Sequence, residues 1–166
     1  IPDPDRAHRQ FPWEANGYFY FTRASKRFAA RYGTGLSFAN SAVRRSVWEA
    51  LRFDAQAISE DLQFQQKLHA TEHICAFPQD APVLHHHDYT LKQLYTRCRN
   101  EGLGFRHMDC PYTEWDLICD LLSPRKYIQW LRELKYRRMN TLADALFPVL
   151  RPVAVYMGSR FGKKRT

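Results

Sequence analysis

Ser59, Glu60 and Asp61 open a stretch with helical periodicity, and 24 residues beyond Asp61 comes His85, inside Val83-Leu84-His85-His86-His87-Asp88-Tyr89. A carboxylate in the first turn of a helix, aimed into a cleft, is suited to take a proton from a hydroxyl. A hydroxyl is a poor nucleophile until a base within hydrogen-bond reach begins to remove that proton. An imidazole suits Mn²⁺-like ions when carboxylates complete the shell. Both features also have plainer uses. Acidic side chains stabilise a helix N-terminus by about 0.3–1 kcal/mol, and a preceding serine can cap it. In a strand, His85 and His87 share one face and His86 takes the other, as surface or core decoration does. Asp3-Pro4-Asp5 spells the metal-binding pattern D-x-D, but in a Pro-rich loop with no apolar strand to aim it.

A second patterned stretch lies upstream: Leu36-Ser37-Phe38-Ala39-Asn40-Ser41-Ala42-Val43-Arg44-Arg45-Ser46-Val47-Trp48. Arg44 and Arg45 stand at a helix start. There a guanidinium either holds a diphosphate or charged acceptor through paired hydrogen bonds, or is a solvated surface charge. Trp48 and Phe64 have the shape to stack on a sugar ring, although core packing is the commoner use of each.

These residues need elements to hold them. The pattern predicts a strand over 36–39, bounded by Gly33 and Gly35. A helix then follows, capped by Asn40 or Ser41, with Val43, Val47 and Leu51 on one face. A second helix is expected from Ser59 to about Thr71, then strands over 73–77 and 83–87. Leu91, Leu94, Tyr95 and Cys98 give a helical stripe that Gly102 and Gly104 should end. Further helices are expected over 115–122 and 125–139, with Pro124 in the first turn of the latter. The apolar stretch 142–157 is interrupted by Pro148, Arg151 and Pro152. The expectation is an α/β fold with too few strands to close a sheet, divided into residues 1–90 and a basic helical region, 91–166.

The chain has 166 residues, 45% apolar and 14% aromatic, enough for a real core. It has no run of 18 apolar residues and no signal-peptide pattern, so a cytoplasmic location is expected. Cys75, Cys98, Cys110 and Cys119 form no C-x-x-C pair and read as free thiols. The net charge of +8 is uneven: residues 1–91 carry 10 Lys/Arg and 10 Asp/Glu, whereas residues 92–166 carry 15 and 7. Such asymmetry suggests an anionic partner for the second half.

Taken in order and spacing, the 36–48 stretch, Ser59-Glu60-Asp61-Leu62 and His85-His86-His87-Asp88-Tyr89-Thr90-Leu91 resemble family 2 glycosyltransferases, in particular the bacterial rhamnosyltransferase-like branch. The resemblance covers roughly residues 16–105. It implies an inverting enzyme of GT-A (Rossmann-like) fold that moves a sugar from a nucleotide-sugar donor to a saccharide or lipid-linked acceptor in cell-surface polysaccharide or glycolipid synthesis. On that resemblance Asp61 is the catalytic base, His85 a ligand to Mn²⁺ or Mg²⁺, and Asn40 and Ser41 line the sugar site. Arg44, Glu60, His87 and Tyr89 are substrate-binding candidates beside them. Phe64 stands where this branch often has Trp. The nucleotide-binding half of the family pattern is not found in the sequence, so the chain reads as a partial GT-A domain. The cation is expected only together with that donor half, and the fragment alone should be inactive. The basic, amphipathic 125–139 segment adds an anionic membrane surface as a partner, hence a peripheral place on the inner face of the plasma membrane. The competing reading is a non-catalytic basic helical module for nucleic acid or anionic membrane, with Tyr95, Trp130 and Tyr136 interleaved among cations.

Overall fold

The computed structural model describes residues 13, 22–33, 37–38, 41–53, 59–71, 73–76 and 89–162. Its helices are α1 (Arg23–Tyr32), α2 (Arg45–Leu51), α3 (Glu60–His69), α4 (Leu91–His107), α5 (Glu114–Leu121), α6 (Pro124–Lys135) and α7 (Leu142–Phe161). The expected α/β fold is overturned: the described residues contain helices and no strand. Ser37 and Phe38, from the expected 36–39 strand, form no ladder, and Phe38 sits in a 3₁₀ turn. Residues 73–76 are all exposed, Ile74 at 93%, without the partner that strand backbone needs. The expected strand over 83–87 lies outside the described residues. A short apolar run does not separate strand from other structure by periodicity alone, and that ambiguity produced the error.

Threonines start four of the helices. Thr22, Thr90, Thr113 and Thr141 each accept a hydrogen bond from the backbone three residues on. Gln93, Asp116 and Asp144 return the bond to complete capping boxes. Pro124 opens α6, as expected. Ser59 differs: it precedes α3 in the left-handed region, φ 66°, and its side chain makes no cap.

The centre of the molecule is the crossing of α4 and α7. The expected break at Gly102 and Gly104 does not occur, and α4 continues to His107. A Cβ on Gly102 would lie 1.9 Å from the Val155 carbonyl oxygen, and one on Gly158 would lie 1.8 Å from that of Arg99. Glycine costs about 1 kcal/mol in a helix, but here it lets two backbones meet, each glycine lying on the other helix. Cys98 and Ala154, four residues before the two glycines, are fully buried.

α7 also runs through Pro148 and Pro152. A proline has no N–H for the carbonyl four residues earlier, so Pro148 orphans the Asp144 carbonyl and Pro152 orphans that of Pro148. Both find replacement donors. Trp13 Nε1 donates to the Asp144 oxygen at 2.8 Å, and Lys126 Nζ donates to the Pro148 oxygen at 2.7 Å. This explains why a lysine and a distant tryptophan are buried. Burial pushes the Lys126 ammonium down to about 8. Arg151, the third expected interruption, is buried and donates to both Glu101 carboxylate oxygens at 2.8 and 3.1 Å. Around these contacts one apolar cluster joins Trp13 and Phe28 to Leu94, Cys98, Phe147 and Val155.

Candidate active site

Asp61 lies in the first turn of α3, half-buried, with Oδ1 accepting the Leu62 N–H at 2.8 Å. Burial raises its pKa above the usual carboxylate value and the neighbouring Glu60 charge adds to this. The Leu62 N–H and the positive charge of Arg97 oppose the rise. No ion pair holds Asp61 among the described residues, and it is left as a carboxylate of increased basicity.

α3 is held by its other faces. Phe64, 1% exposed, packs with its ring centroid 4.9 Å from that of Phe53 and 5.9 Å from that of Phe38. Gln65 Nε2 donates to the Tyr32 carbonyl and Gln66 Nε2 to the Tyr32 hydroxyl, both at 2.9 Å, tying α3 to α1. Lys67 Nζ donates to the carbonyls of Leu51 and Arg52 at 3.1 and 2.7 Å, closing the end of α2. Phe64 is therefore unavailable to stack on a sugar. Trp48 carries the Arg52 guanidinium 4.2 Å above its ring.

The expected site residues separate into those near Asp61 and those away from it. Tyr89 is half-buried against the core cluster, and the Arg97 guanidinium lies 5.8 Å from its ring centroid. Arg97 thus links Asp61 and Tyr89: its charge acts on the first and its head group lies near the second. Sequence reasoning missed Arg97, and the available signal was its place two turns into the helix that follows Tyr89. Tyr89 also lines a cavity of about 340 Å³ with Thr90, Leu91, Thr141, Leu142 and Ala143. Glu60 and Arg44 are exposed. Ser41 is exposed and donates its hydroxyl to the Ser37 carbonyl. Asn40, His85 and His87 lie outside the described residues. Among the described residues no three His, Cys, Asp or Glu side chains converge as a metal site. The divalent cation therefore enters no step below.

A second carboxylate, Asp116 in the first turn of α5, sits in different surroundings. Arg27 donates to both of its oxygens at 2.7 and 2.8 Å, and Arg23 approaches to 3.3 Å. Burial works to raise its pKa, but the hydrogen bonds from Arg27 and Thr113 overcome this and hold it below the usual range. Asp116 is a structural anchor between α1 and α5. A cavity of about 390 Å³ beside it includes Arg106, Glu114, Tyr156 and Arg160. Those charges are already engaged: Arg106 donates to the Arg160 carbonyl at 3.3 Å, and Glu114 accepts from Tyr156 at 3.0 Å and pairs with Arg160 at 3.9 Å.

No helix among the described residues is long and apolar enough to cross a membrane. Compared with known proteins, the chain matches no family model, no curated protein and no solved structure.

Proposed function

We propose that the chain is the acceptor-side part of an inverting glycosyltransferase, with Asp61 as general base. In this reading the Asp61 carboxylate takes the proton of an acceptor hydroxyl as its oxygen attacks the sugar carbon, and the nucleotide diphosphate leaves from the opposite side. The observation that carries it is the half-buried Asp61, raised in pKa by burial and unengaged by any ion pair among the described residues. A base is more effective as its pKa approaches the working pH, provided it stays ionised. The Arg97 charge opposes burial and so favours the ionised form. Tyr89, near Arg97, is the candidate to meet the acceptor. The order of the Ser-Glu-Asp and His-His-His-Asp-Tyr motifs supports the reaction class. The donor, and with it the divalent cation, belongs to residues other than those described.

The test uses the full-length gene product with a panel of nucleotide sugars, Mn²⁺ or Mg²⁺, and saccharide and lipid-linked acceptors. One donor should be consumed and its sugar transferred with inversion. Asp61→Asn should lower transfer by about 10²–10⁴-fold, the usual worth of a general base, with donor binding retained. Undiminished turnover in that variant would sink the assignment.

A further inference from the structure

The face of α6 turned away from α7 is apolar. Lys126, Trp130 and Glu133, spaced four and three apart, point inward: Lys126 and Trp130 donate to the carbonyls of Pro148 and Ala145 in α7, and Glu133 is 1% exposed. Ile128, Leu131 and Leu134 then fall on solvent-facing positions and are 58%, 56% and 49% exposed. This inverts the usual surface helix, which turns its apolar stripe to the core. α7 does the same on its outer side, where Leu146, Val149 and Val153 repeat at helical spacing and are each more than a third exposed. Exposed apolar area of this extent marks an interaction surface.

We propose that α6 seats this face on an anionic lipid bilayer. Charge identifies the occupant. Arg125, Arg132 and Lys135 are exposed beside the apolar stripe, and Arg137 and Arg138 follow at its end. The region from residue 92 onward carries 15 Lys/Arg against 7 Asp/Glu. A helix with an aliphatic face bordered by cations lies in the plane of a membrane interface: the aliphatic side chains enter the headgroup boundary and the cations meet anionic headgroups. A second copy of the same face would bring like charges together, which opposes self-association. Nucleic acid would offer the cations a partner but leave Ile128, Leu131 and Leu134 in water. The proposal stands on this surface and not on the role of Asp61.

The experiment is co-sedimentation of the full chain with vesicles of phosphatidylcholine alone and of phosphatidylcholine mixed with phosphatidylglycerol. Binding is expected on the mixed vesicles, with little on the neutral ones and a decline as salt rises. Arg132→Ala and Lys135→Ala should each weaken it about fivefold, the equivalent of about 1 kcal/mol per surface-near cation. Leu131→Glu should weaken it more than tenfold, with an unchanged circular dichroism spectrum because position 131 faces solvent. Equal binding to neutral vesicles, no binding to either, or an unaffected Leu131→Glu variant would each overturn the proposal. So would a concentration-dependent dimer that Leu131→Glu dissolves, or salt-sensitive retention on RNA or DNA in place of vesicles.

Discussion

Asp61 and Asp116 occupy the same kind of position, the first turn of a helix, and face opposite demands. Asp116 accepts from the Thr113 backbone and hydroxyl and from both terminal nitrogens of Arg27, so its charge is satisfied and its pKa is lowered. Asp61 has one neighbouring backbone N–H, an adjacent like charge in Glu60, and partial burial, so its pKa is raised. A helix N-terminus favours both carboxylates by a similar small amount. The surroundings decide the rest. One carboxylate is spent on holding α1 to α5, and the other is kept available.

The contrast extends to the elements that carry them. α4, α5 and α7 form a close-packed unit in which the buried charges of Asp116 and Arg151 are paired, whereas α3 is held by its aromatic and glutamine faces and leaves its first turn half-open. The largest expected effect belongs to the packed unit. Gly102→Val or Gly158→Val puts side-chain atoms into the backbone of the facing helix, and should cost about 3 kcal/mol or more, read as a lowered midpoint in urea unfolding. Ala50→Val, at an exposed position on α2, should cost well under half of that. Comparable losses at the two positions would erase the distinction.

Of similar size is the effect at the buried pair. Glu101→Leu leaves Arg151 charged and buried, and should cost about 3–5 kcal/mol, while adding Arg151→Met should recover most of it. A double variant as unstable as the single one would show that packing, not charge, dominates there.

The two aspartates themselves should respond with opposite signs. Asp116→Asn should destabilise by about 1–3 kcal/mol, since the buried side chain at 116 loses its charge-assisted bonds from Arg27, whose own side chain is exposed. Because the folded pKa of Asp116 is depressed, its contribution is present above the unfolded carboxylate value of about 3.9 and is lost as pH falls through the folded value. The folded pKa of Asp61 is raised. Its contribution is therefore present below the unfolded value and is lost as pH rises through the folded one. At neutral pH Asp61→Asn should leave stability unchanged or slightly higher, checked by thermal melts of both variants across the acid range.

The smallest effect is on reactivity and leaves the fold intact. Burial pushes the Cys98 thiol up to about 12, so it should resist a thiol reagent that labels exposed Cys75 quickly. Native mass spectrometry after brief labelling gives the order, and fast modification of Cys98 would mean that the α4–α7 contact opens readily.

Several helices were legible from a local signal, but 142–157 was read as an interrupted apolar stretch although Thr141 and Asp144 form a capping box at the start of α7. The Leu91, Leu94 and Cys98 stripe, Pro124 before α6, and the Ser-Glu-Asp start of α3 all mark helices present in the structure. The glycines misled, because a glycine that ends a helix and one that admits a second backbone look alike until the partner is known. Pro148, Pro152 and Arg151 misled in the same way. Their deficits are met by Trp13, Lys126 and Glu101, remote in sequence, and no local pattern reveals such donors and acceptors. The strands were read from short apolar or histidine-rich runs, the least decisive signal in the chain. At the site, Asp61 and Tyr89 were visible as residue types at a spacing. Arg97, whose charge acts on Asp61 and whose head group lies near Tyr89, was hidden because its relevance depends on where the fold places α4 relative to residues distant in sequence.

The most direct measurement is a carboxyl NMR titration of Asp61 and Asp116 in the same sample, assigned with the two Asn variants. The account predicts that Asp61 titrates above the ordinary value of about 3.9 and Asp116 below it. Finding Asp61 at or below the ordinary value would contradict the account, because its carboxylate would then be as satisfied as that of Asp116 and no better placed to accept a proton.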